Sequence, residues 1–110
     1  MNYSKLVRDG IPEHLQKAGL RCGWETMNEA EYRQALREKL VEEAQEAAQA
    51  NEQELVFELA DLYEVMEVLM KVYAITPTSV QEAQECKRHE RGGFERRIRL
   101  LWVDDENDGA

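Results

Sequence analysis

The chain has 110 residues, 43% of them apolar and 34% charged, and carries a formal charge of −9. That length suits one domain and is short for two, and the composition is that of a globular chain rather than a disordered one. So acidic a chain lacks the basic footprint of a nucleic-acid binder, and no segment has the unbroken apolar length of a membrane span. A phosphate substrate would be repelled by it unless bound cations reverse the charge locally.

Residues 1–9 contain no apolar run resembling a secretory signal, and residues 5–9 read as extended. A short helix is predicted next, with Pro12 in its first turn and Gly19 at its end. Residues 21–27 read as loop or short strand. Asn28 is the predicted N-cap of a long helix over 29–50, and Glu31 three residues on completes a capping-box pattern. Asn51 marks a turn before a second long helix over 52–73. Thr76-Pro77 starts a third, the Thr as cap and the Pro at the first helical position, and Gly92-Gly93 ends it. Residues 98–103 read as a short strand or docking tail, and 104–110 as an acidic frayed end. Cys22 and Cys86 have no metal-ligand spacing, so reduced thiols in a cytoplasmic protein are expected. The predicted fold is all-α, one domain over 1–103: an antiparallel bundle of two long helices, a third, and a short amino-terminal one. Self-association as a dimer is expected because so short a chain closes little core alone.

The informative residues are acids standing where a helix should be apolar. Leu36, Leu40, Ala44 and Ala47 define the apolar stripe of the first long helix, with Glu43 near its middle and Glu46 at its margin. In the second, Leu55, Leu59, Leu62, Met66, Leu69 and Tyr73 make the main stripe. Val65, Val68 and Val72 widen it on one side, and Glu58 and Asp61 fall on that side. Acids at i and i+3 project from one face, so each helix offers a two-pronged oxygen site. A tight turn at Asn51 makes the helices antiparallel neighbours and brings the two pairs together. Four partly buried carboxylates must protonate or recruit cations, and oxygen-only ligands suit Mg²⁺ or Mn²⁺ rather than zinc. The competing reading makes them solvated acids, or salt-bridge partners of Arg37, Lys39 or Lys71. A di-iron bundle would need Glu-x-x-His pairs, which neither His14 nor His89 supplies.

At these residues the sequence resembles the MazG-like all-α nucleoside triphosphate pyrophosphatases, whose hallmark is ExxE, a spacer and ExxD on two helices. Glu43/Glu46 and Glu58/Asp61 match it, and Glu42 supplies the extra leading acid. Lys5-Leu6-Val7-Arg8-Asp9-Gly10-Ile11-Pro12 is similar to the amino-terminal signature of the subgroup labelled phosphoribosyl-ATP pyrophosphatase-like. Lys87 with Arg91 resembles the family's basic pair, and Arg91-Gly92-Gly93-Phe94 the end of the same helix. The likeness spans residues 3–103. It implies a helical dimer or pair of dimers, with Mg²⁺ at Glu43, Glu46, Glu58 and Asp61 and Mn²⁺ as a substitute. It also implies cleavage of a nucleoside triphosphate between the α and β phosphates, giving monophosphate and pyrophosphate.

On that reading Glu42 orients water beside the metal ligands, and Lys5, Arg8, Lys87 and Arg91 grip the phosphate tail. Trp24 and Trp102 are expected in the core or against a second subunit rather than on a base. Clearance of non-standard or surplus nucleotides is the expected role. Two other functions stay open: the phosphoribosyl-ATP hydrolysis of histidine biosynthesis, and a non-catalytic helical module whose acids bind a basic partner.

Overall fold

Helix-breaking and helix-capping residues punctuate this chain closely enough to set most of its element boundaries. The computed structural model describes residues 4–104, so the acidic end expected over 104–110 lies outside the described residues except for Asp104. Among those residues the elements are α1 (Ile11–Lys17), α2 (Glu29–Gln49), α3 (Leu55–Val72) and α4 (Pro77–Arg91), with no strand. Residues 21–27 and 98–103, each open to a strand reading, take no regular form, because neither meets a second strand to pair its backbone groups. The chain divides into two compact units, one ending at Pro77 and the other beginning at Thr78.

α2 starts at the capping box: Asn28 Oδ1 accepts from the Glu31 N–H at 2.8 Å, and Glu31 Oε1 accepts from the Asn28 N–H at 3.2 Å. It ends before Asn51, whose side-chain oxygen accepts the Glu54 N–H at 2.8 Å and turns the chain into α3. Gly19 and Gly92 both adopt left-handed φ, +82° and +83°, at the ends of α1 and α4 where a side chain would be strained.

The short turn forces α3 back along α2. Arg33, early in α2, donates to the Val72 carbonyl at the end of α3. Arg37 donates to the Tyr73 hydroxyl at 3.0 Å, and both guanidinium groups lie over the Tyr73 ring, 4.7 and 4.9 Å from its centroid. The seam between the helices holds Leu36 and Val65, the two buried apolar side chains among the described residues.

This seam corrects the expected core of α3. Leu55, Leu59 and Met66 of the expected main stripe are exposed while its Leu62, Leu69 and Tyr73 are half-buried, and the buried face is centred on Val65 with Val68 and Val72 half-buried beside it. The apolar arc of α3 is wider than one neighbour covers, and a single helix partner takes only part of it. Trp24 and Trp102 are also exposed, so neither packs into the core of this chain. No helix among the described residues is long and apolar enough to cross a membrane.

Candidate metal centre

The rotation of α2 and α3 about their seam decides which acids meet. Glu43 lies one α-helical heptad from Leu36 and so shares its inward direction; it is 6% exposed. Glu58 lies one heptad before Val65 and faces the same seam, half-buried, with Asp61 three residues on. Carboxylate oxygens of Glu43, Glu58 and Asp61 lie within 4.8 Å of one another. A second set, from Glu42, Glu43 and Glu46, is equally tight, so Glu43 is common to both. All five acids singled out in the sequence therefore converge, with Glu46 on the exposed rim.

Burial pushes the Glu43 carboxyl above its ordinary range; repulsion from Glu46, a hydrogen bond that protonated Glu43 donates to it, and repulsion from Asp61 push the same way, while Lys39 opposes them. Glu43 Oε2 and Glu58 Oε2 are buried with no hydrogen-bond partner. A buried acceptor without a donor costs about 1–3 kcal/mol, so two of them on members of one acidic cluster fit a cation better than they fit a closed protein core. The donor set is oxygen only, which suits a hard divalent ion such as Mg²⁺.

Among the described residues, three cations reach these acids. Arg8 Nη2 donates to Asp61 Oδ1 at 2.7 Å, and Lys5 Nζ to Glu42 Oε1 at 3.4 Å. Lys39 Nζ lies 3.5 Å from both Glu42 Oε1 and Glu43 Oε1. Lys5 and Arg8, singled out as grips for a phosphate, thus sit on the carboxylates. Of the cations considered as salt-bridge partners, Lys39 fills that place, while Arg37 is turned to Tyr73. The i,i+3 and i,i+4 spacing of Lys39 from Glu42 and Glu43 is the signal by which the sequence offered it as their partner. Lys87 and Arg91 stand one turn apart and exposed on α4, in the second unit.

Comparison of the chain with family models, with curated proteins and with solved structures finds no match.

Proposed function

We propose that the protein is a magnesium-dependent pyrophosphohydrolase that splits nucleoside triphosphates between the α and β phosphates. The observation that carries this reading is Glu43: a carboxylate held inside a helix seam, with one oxygen unpartnered and a second acid pair opposite. Lys39, 3.5 Å from the other Glu43 oxygen, offsets only part of that burial and repulsion, so the arrangement favours a further cation. Glu43, Glu46, Glu58 and Asp61 would hold Mg²⁺, or Mn²⁺ in its place. A bound ion there supplies the positive charge that offsets the substrate's phosphates and makes the α-phosphorus open to attack.

The remaining work falls to side chains. Glu42, half-buried beside Glu43, is suited to orient the attacking water and take its proton as the new P–O bond forms. The bond between the α-phosphorus and the bridging oxygen breaks, and pyrophosphate leaves with the charge that Lys5 and Arg8 are available to offset. A panel of ribo- and deoxyribonucleoside triphosphates, with phosphoribosyl-ATP beside them, tests the substrate class. Turnover across several triphosphates is expected. Turnover of phosphoribosyl-ATP alone would move the protein to histidine biosynthesis, and none at all would leave a helical interaction module.

The same reading includes a dimer. The two buried apolar side chains among the described residues are too few to offset the conformational entropy of ordering these helices. Meanwhile Val56, Leu59, Tyr63 and Met66 are exposed on α3 at 3,4,3 spacing, the seam by which one helix meets another. A second copy presenting its own α3 matches that spacing and completes the core of both. Light scattering should give twice the 12.8 kDa chain mass, and Tyr63→Glu with Met66→Glu should return it to one. A monomeric parent, or a dimer that survives both charges, would contradict this interface.

A further inference from the structure

Two positive side chains from the segment before α1 occupy carboxylates of the proposed site: Asp61, one of its cation ligands, and Glu42, which stands beside them. Arg8 reaches Asp61 across 53 residues of sequence, and Lys5 reaches Glu42 across 37, so these are tertiary contacts and not accidents of helical neighbours. Both are built to be given up. Arg8 contacts one Asp61 oxygen with one nitrogen rather than in the two-pronged form that makes such pairs strong. The Arg8 side chain is 59% exposed and that of Lys5 48%, which places both pairs among those of least intrinsic strength. Lys39 differs: it is 18% exposed and fixed on α2 between its two carboxylates.

We propose that Arg8 and Lys5 are exchangeable counter-ions, seated on Asp61 and Glu42 while the acid cluster lacks a divalent cation and expelled when one binds. The inference rests on the reading of those acids as a metal site. Its physical basis is competition. A doubly charged ion bonded to Asp61 would stand within a few ångströms of the Arg8 guanidinium, and that repulsion outweighs the attraction of one exposed contact. The backbone permits the movement: residues 4–9 form no helix, and the segment is pinned by the turn in which the Ile11 N–H donates to the Arg8 carbonyl at 3.0 Å, leaving the side chain free to swing. Cation loading therefore releases two positive groups at the edge of the site, where an anionic ligand can use them.

Competition has a signature that simple charge loss does not share. Mg²⁺ binding to the 110-residue chain is measured by titration calorimetry for the parent, Arg8→Ala, Lys5→Ala and Arg21→Ala, the last an exposed cation outside the acid cluster that controls for net charge. Arg8→Ala should tighten Mg²⁺ binding by roughly 2- to 5-fold, the value of an exposed ion pair no longer opposing it. Lys5→Ala should tighten it less, since Lys39 still serves Glu42, and Arg21→Ala should leave it nearly unchanged. Equal effects of Arg8→Ala and Arg21→Ala, or weaker binding in Arg8→Ala, would overturn the exchange while leaving the metal site standing. A parent protein that binds no Mg²⁺ would overturn both.

Discussion

Glu43→Gln is expected to make the metal-free protein more stable while abolishing turnover. The substitution keeps the shape of the side chain, removes a charge that burial disfavours, and ends its repulsion with Glu46 and Asp61. Relief of one unsatisfied buried acceptor is worth about 1 kcal/mol, which in a chain of this size raises Tm by roughly 4–8 °C. The gain should depend on pH in a set direction. Glu43 has a folded-state pKa above its ordinary value near 4.5, so between those two values the folded protein binds more protons than the unfolded one. Stability contributed by the proton is present at the acid end of that window and lost as pH rises through the folded pKa. Melting curves in chelator should therefore diverge from acid to neutral pH, the parent falling relative to Glu43→Gln. Parallel curves would contradict the buried charge. Turnover should fall by at least ~100-fold, because several kcal/mol of transition-state stabilisation go with a metal ligand. Asp61→Asn should lose turnover as fully with its helical circular dichroism unchanged. Full activity in both variants would refute the assignment of the acids.

Low-millimolar Mg²⁺ should raise the Tm of the parent protein and leave that of Glu43→Gln almost where it was. An ion that binds only the folded state stabilises it by about 2.7 kcal/mol at a hundred times its dissociation constant. That corresponds to a shift on the order of 10 °C or more for a domain of this length. General screening of the −9 charge would also respond to salt, but it would act on parent and variant alike and would be matched by sodium at equal ionic strength. Differential scanning fluorimetry with both salts separates the two. An equal response of parent and variant would mean that the acids repel one another without forming a site.

Local signals carried most of the helix boundaries. Asn28 with Glu31, Asn51, Pro77 and Gly92 each act through the backbone within four residues, and each stands where its chemistry predicts. The inward direction of Glu43 was legible for a related reason, since helical periodicity fixes which residues share a face with Leu36. What periodicity does not fix is which part of a wide apolar arc a neighbour takes. Leu59 and Met66 look as fit for the core as Val65, and the antiparallel return of α3 selects the face centred on Val65. The pairing of Arg8 with Asp61 was out of reach for a different reason: no local rule links an extended segment to a helix 53 residues later. Lys39 lay within reach, since its spacing from Glu43 is that of any i,i+4 ion pair.

The most direct test of the central claim is phosphorus NMR of the products formed from a nucleoside triphosphate, with Mg²⁺ and with chelator. Monophosphate and pyrophosphate in equal amounts, formed only with Mg²⁺, are the predicted result. Diphosphate with inorganic phosphate, or the same products in chelator, would contradict it.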